Sequence, residues 1–286
     1  ILYLGEIKMQ HNKDKKKLYI LLGITLIFIS LFLFYGLNAN NYRYNLSKRI
    51  PKIIAIILTG GSVAVSSMLF QTITNNRILT PSILGLDSLY NFGQTIAVFV
   101  FGVNSLMFTN SYANFFFSVA IMLVGSVILY NLVFRKKNNI FTLLLVGTVM
   151  GTLFRSISSF MSVLIDPNDF LTLQNKMYAS FNNVNTDIIL LVIIIFTLIF
   201  IYVYKDINKL DVMLLGREQA INLGVEHDKE SKKLLLVIIL LVSVSTALVG
   251  PITFLGLLVV NLAYHLFDTY KHSYLIIGST LISVLA

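Results

Sequence analysis

What most constrains this chain is a succession of apolar runs, each about as long as a bilayer is thick. They cover residues 18–37, 50–70, 83–103, 115–134, 141–165, 188–204, 234–249 and 252–267, and another begins near Tyr274 and is still apolar at Ala286. About 20 such residues in a helix cross a hydrocarbon core, where backbone groups must be satisfied within the protein. The expected fold class is therefore all-α: a polytopic integral membrane protein with eight spans and part of a ninth. Composition agrees, with 56% hydrophobic and 12% charged residues and a mean hydropathy of +0.81, outside the soluble range. The net charge of +9 does not point to nucleic acid, because Lys and Arg fall between the apolar runs and form no basic face with stacking aromatics.

Loop charge sets the expected orientation. Lys13, Lys15, Lys16 and Lys17 stand directly before the first run, so residues 1–17 read as a cytoplasmic tail. With that end inside, Arg77, then Arg135, Lys136 and Lys137, then the insert 205–233, then Lys271 all fall on the same side. That side holds 16 of the 22 basic residues. Residues 18–286 read as one transmembrane domain, with no linker, low-complexity segment or evident internal repeat. The first run lacks the small-residue cleavage pattern of a signal peptide. Met9 is a plausible start, and the chain as given is expected to stop before its last span or two.

Arg43, Lys48, Arg49 and Lys52 depart from this pattern, because the topology puts them outside. Arg49 and Lys52 are three apart and share a helix face, with Pro51 expected in the first turn. An acidic partner outside the membrane would account for them; so would lipid headgroups. The outer segment 166–187 is expected to be a loop with a short helix after Asp166-Pro167-Asn168.

The one long polar interruption is 205–233. Within it GREQAINLGV, residues 216–225, predicts a helix of about 10 Å from Arg217 to Leu223. Gly216 caps its start, Glu218 lies in the first turn, Gln219 and Ala220 follow, and Gly224 supplies a left-handed stop. So short a helix is marginal alone, so it reads as a docking element for a soluble partner. The competing reading is a solvated loop.

Chemistry is sparse. No G-x-x-x-x-G-K-[ST] occurs, so any energy from ATP must come from another subunit. There is no Cys, which excludes disulfides and thiolate sites. His11, His227, His265 and His272 are scattered and read as ordinary surface residues. The spans contain almost no acids, so catalytic residues, metal and cofactor are all expected to be absent. Arg155 stands mid-span, where an unpaired charge costs about 2.5–3.5 kcal/mol. Ser158, Ser159 and Ser162 follow at three, four and seven residues and make one polar stripe with it. The stripe is expected to line a path for an anionic solute; the competing reading is an Arg that snorkels or bonds a carbonyl. Ser66, Ser67, Gln71, Asn91 and Gln94 read singly as helix-to-helix glue.

Six stretches together resemble the FecCD family, the membrane subunits of type II ABC importers for iron-siderophores, haem and cobalamin. They are R-I-P-K at 49–52, GGSVAVSSMLFQ at 60–71, NRILTPSILG at 76–85, LLLVGTVMG at 143–151, LLGREQAINLGV at 214–225 and GPITFLGLLV at 250–259. Residues 72–85 especially resemble permeases for petrobactin and related catecholate siderophores of Gram-positive bacteria. The resemblance implies a ten-span fold in the cell membrane, so this chain would stop in or after its ninth span. It also implies a dimer of cytoplasmic ABC ATPase subunits seated on the 216–224 helix, and a second permease subunit, for which a different chain is expected and a second copy of this one is the alternative. An extracellular lipoprotein binding protein would carry carboxylates that meet Arg49 and Lys52. Lys52 replaces a family Arg and loses its bidentate fork. Arg77 replaces a Pro, and Val260 and Asn261 replace a Pro-His pair. The resemblance leaves a haem or cobalamin permease as an alternative, and the residues alone leave an ion-coupled secondary transporter and a non-transporting scaffold.

Overall fold

The computed structural model describes residues 2–38, 41–134, 140–182 and 184–286. Arg135, Lys136 and Lys137, on which the expected orientation partly rests, lie outside them. The described residues are helical, without a strand. In order the helices are α1 (Leu2–Phe34), α2 (Tyr42–Thr74), a 3₁₀ turn (Pro81–Leu84), α3 (Leu86–Phe101), α4 (Leu106–Thr109), α5 (Ser111–Phe134) and α6 (Ile140–Leu164). There follow α7 (Pro167–Met177), α8 (Thr186–Lys205), α9 (Ile207–Met213), α10 (Arg217–Asn222), α11 (His227–Val249), α12 (Leu255–Leu266) and α13 (His272–Leu285).

The apolar runs correspond to helices, but not all are long enough to cross. Six have the length and hydropathy of a span: α1, α2, α5, α6, α8 and α11. The other three runs give α3, α12 and α13, of 16, 12 and 14 residues. The first two of these are shortened at their starts. Pro81 opens a 3₁₀ turn that ends at Gly85 with φ +77°, and Gly250, at φ +105°, breaks the chain before Pro251. Residues of both breaks line one small polar cavity of about 20 Å³, with Asp87, Ser66 and Thr246.

At the centre α2 packs on α11, α13 and α12. Their inward faces supply Met68, Leu69, Phe70, Leu235, Ile238, Val260 and Leu275 to one buried cluster. By contrast α1 keeps Tyr19, Ile20, Phe28 and Leu31 exposed. Such a helix face needs lipid or a neighbouring chain around it.

Two features position the site. On α6, Gly147 and Gly151 are four apart and let this helix meet backbone: a Cβ at Gly147 would stand 2.9 Å from Leu84 Cα, and one at Gly151 3.2 Å from Gly85 Cα. Small residues at this spacing allow such approach between membrane helices. The second feature corrects the sequence reading. Pro51 is not in a first turn; α2 starts at Tyr42, nine residues earlier, and Pro51 is interior, where it removes one helical hydrogen bond.

Candidate functional site

Arg155 and its serines stand together on the wall of one cavity. The cavity, about 430 Å³, is lined by Arg155, Ser158, Ser159 and Ser162 of α6, Ser88 and Asn91 of α3, and Gln174 of α7. Arg155 Nη2 donates to Ser88 Oγ at 3.5 Å, at the limit of hydrogen-bond range. Ser158 and Ser162 donate to the carbonyls of Phe154 and Ser158, which leaves their oxygens as acceptors. α7 closes one side. Asp166 caps it by accepting from the Asn168 amide, which is the short helix expected in segment 166–187. Lys176 of α7 turns away from the cavity: its Nζ donates to the Phe108 carbonyl at 2.7 Å and lies 3.9 Å over that ring. Burial there pushes its pKa down to about 8.

One acid was not singled out by sequence reasoning. Asp87, in the first turn of α3, lines the small cavity between the two breaks. Its Oδ2 is buried without a hydrogen-bond partner, and Ser82, on the same cavity wall, gives its hydroxyl hydrogen to the Thr253 carbonyl at 3.5 Å. The signal was present, a lone carboxylate inside the apolar run 83–103. Of the amides read as glue, Gln94 is that, bonding Asn114 and Ser118, and Asn91 joins the cavity wall. Gln71 is buried with both side-chain polar atoms unpartnered.

The polar insert folds at one end of the bundle. Gly216, at φ +95°, precedes α10, and Gly224, at φ +85°, ends it. The Val225 amide donates to the Ala220 carbonyl and the Gly224 amide to that of Ile221, the Schellman pattern that satisfies a helix end. α10 is one residue shorter than expected, Leu223 serving as the cap residue. Ala220 is buried, whereas Glu218, Gln219 and Asn222 are exposed, as are Leu215, Ile221 and Leu223 at 57%, 45% and 62%. Arg217 forks onto Asp228 at 3.0 and 2.8 Å, and this pairing holds the Asp228 carboxyl below its usual range. The result is a short helix tied to α11 with an apolar rim facing outward.

At the opposite end of α2, Arg49 is already engaged. Its Nη1 donates to the carbonyls of Phe32, Leu33 and Tyr35 at 2.7–3.0 Å, covering the acceptors that the last turn of α1 leaves unpaired. Lys52 Nζ donates to Asn182 Oδ1 at 2.8 Å.

The histidines need a correction. His265 is exposed, but His272 is fully buried, its Nδ1 2.6 Å from Asp211 Oδ1. No local pattern signals this, because its partners lie 61 and 200 residues away. No group of three metal-ligating side chains occurs among the described residues.

Residues 17–286 match the FecCD transport family. The chain is 55% identical over 275 residues to the petrobactin import system permease protein YclO of Bacillus subtilis (strain 168), covering 96% of this chain and 87% of that one. It is 36% identical to the petrobactin import system permease protein FatC of Bacillus anthracis, over 92% of this chain and 77% of that protein. In fold it resembles a solved chain described as an inward-facing metal-chelate type ABC transporter. The TM-score is 0.82 and the identity 23%, over 95% of this chain and 87% of the other.

Proposed function

The chain belongs to the FecCD transport family, and on that premise we propose that it forms half of a membrane path by which an ABC importer takes up a ferric siderophore of the catecholate type. A permease of this family works with an ATPase subunit and a second permease subunit. Residues 18–286 serve as the permease unit, residues 1–17 are its cytoplasmic tail, and 205–233 is the coupling segment. The second permease is a different chain. A binding protein docks outside on Arg49 and Lys52, and ATP binding inside displaces α10, opening the path to one side at a time.

One observation carries this reading: a cation, Arg155, stands among serine hydroxyls on an open cavity wall in a chain 55% identical to a petrobactin permease. Catecholate oxygens on iron make an anionic complex, and the guanidinium complements it, with the Ser159 hydroxyl and the Asn91 and Gln174 amides as further donors on the wall. Because Arg49 also holds the end of α1, the contact with a binding protein adjoins a fixed corner of the structure, which suits a docking point.

Uptake of labelled ferric petrobactin, haem and cobalamin by cells lacking the gene tests the cargo. Complementation should restore only the first; restored haem uptake without petrobactin uptake would sink the assignment. For the motor contact, Leu223→Asp is expected to abolish co-purification of the ATPase while the protein still folds, since Leu223 is exposed. Retained attachment would refute that role for α10.

A further inference from the structure

Three buried or half-buried polar groups form a continuous chain across the end of the bundle that holds the coupling segment. Asp211 of α9 accepts from the His272 backbone N–H at 2.8 Å and from Nδ1 of the same residue at 2.6 Å, both on Oδ1. The other ring nitrogen, Nε2, lies 2.8 Å from Thr72 Oγ1. Thr72 is in turn 2.9 Å from the Met68 carbonyl, in the last two turns of α2. His272 and Thr72 are fully buried, and the Asp211 side chain is 21% exposed.

The proton count fixes how these groups hold one another. Nδ1 faces a carboxylate, so it carries a hydrogen and donates. Thr72 has one hydroxyl hydrogen. If it goes to Nε2, the ring is neutral; if it goes to Met68, Nε2 must donate and the ring is an imidazolium facing the Asp211 carboxylate. In both arrangements every ring nitrogen is bonded, with no slack for the ring to move independently of α2 or α9. Removing any one member strands a buried polar group.

We infer that Asp211–His272–Thr72 is the strut that passes displacement of the coupling segment into α2 and α13, a reading that rests on the proposed role of α10. Leu210 and Met213 of α9 also pack into the central apolar cluster, and the insert's other charged ties run to α11: Arg217 to Asp228, and Lys209 to Glu230 at 3.4 Å. Solvent weakens such pairs. The histidine link is buried at His272 and Thr72, and it is the polar side-chain contact that joins α9 to α13 among the described residues. Through Thr72 it reaches α2, whose far end carries Arg49 and Lys52. Arg49 and Thr72 are 23 residues apart on that one helix, or about 35 Å at the α-helical rise. His272, Asp211 and Thr72 are thus positioning residues.

The test uses the complete importer in proteoliposomes, with ferric petrobactin as the probe. Thr72→Val keeps the shape and removes the hydroxyl. His272→Asn keeps a donor near Nδ1 and loses Nε2. Each should leave ATP hydrolysis within about twofold while uptake per ATP falls about fivefold or more, the lower end of coupling between sites. The double variant should be no worse than the poorer single one, as expected of members of one chain. An unchanged ratio of uptake to hydrolysis in both single variants, including a proportional fall of the two, would overturn the strut. The cargo reading fails separately, if wild-type vesicles take up no ferric petrobactin. The strut is then judged on α2 alone: the change in amide exchange at residues 68–74 on ATP binding must vanish in Thr72→Val, and its persistence refutes the inference.

Discussion

Replacing Gly147 with alanine asks whether the Arg155 cavity is set by backbone contact. A Cβ at that position would stand 2.9 Å from Leu84 Cα, 3.0 Å from the Ile83 carbonyl oxygen and 3.2 Å from Leu84 C. All three are backbone atoms of the 3₁₀ turn, so no rotamer change relieves them. Carbon pairs settle at about 3.5–4.0 Å, so α6 must retreat by roughly 0.6–1 Å. Overpacking of this kind costs about 1–3 kcal/mol, and the better helix propensity of alanine returns up to about 1 kcal/mol. With that return in full, the net is a loss of up to about 2 kcal/mol by these principles. Arg155 lies two turns further along α6, and its contact with Ser88 is already 3.5 Å, so a retreat of that size breaks it. The assay is thermal melting of the solubilised protein together with ferric petrobactin uptake. Gly23→Ala is the control, since nothing lies within 4 Å of its Cβ. Gly147→Ala should melt lower and take up cargo with weaker apparent affinity, while the control melts no lower than wild type. If the two variants melt together and Gly147→Ala transports normally, the helices do not meet through backbone and the reasoning fails.

Arg155→Leu should reduce uptake about tenfold, equivalent to about 1.4 kcal/mol, with Arg155→Lys retaining part of it; equal uptake in all three would remove the cation from the path. Lys52→Glu should slow association with the binding protein by about tenfold at low salt, with the difference shrinking as salt rises, which stopped-flow mixing would detect; a salt-independent effect would refute a charge contact. Lys176 makes stability pH-dependent. Its pKa is lowered from 10.5 to about 8, so below 8 both folded and unfolded chains hold the proton and the cost of burying the ammonium is full. Between 8 and 10.5 the unfolded chain binds more protons, so stability rises with pH. Melting followed across that window should show the rise in wild type and lose it in Lys176→Met; the same curve for both would contradict the assignment.

The parts that are legible in the sequence share one property: their signals are local. α10 can be bounded because a glycine stands at each end of a polar stretch, and both adopt the positive φ that the ends require. The Arg155 stripe can be assembled because residues three, four and seven apart face one way on any helix. Where distance in the chain is large, nothing local points to the answer. His272 is indistinguishable in sequence from a surface histidine, because what buries it is α2 and α9. Arg49 reads as a free cation because the end of α1 that it holds is 14–17 residues away. Span lengths fail for a different reason. The runs 83–103 and 252–267 begin three residues before α3 and α12 do, because the backbone first turns through Pro81–Gly85 and Gly250.

The placement of Pro51 changes the mechanics of the whole second helix. As a first-turn residue, it would make Arg49 and Lys52 the head of a span. As an interior residue of α2, it makes them part of a 33-residue helix that begins beside the end of α1 and runs unbroken to Thr74. Residues that look like separate motifs in sequence, R-I-P-K at one end and the run to Gln71 at the other, are therefore rungs of one rod. A rod transmits displacement only where its ends are gripped. Here one end is held by Arg49 on the α1 carbonyls and the other by Thr72 on His272. Weakening either grip should then impair transport while the rod itself stays helical. That distinguishes a mechanical role for α2 from a merely structural one, in which loss of transport would track loss of helix.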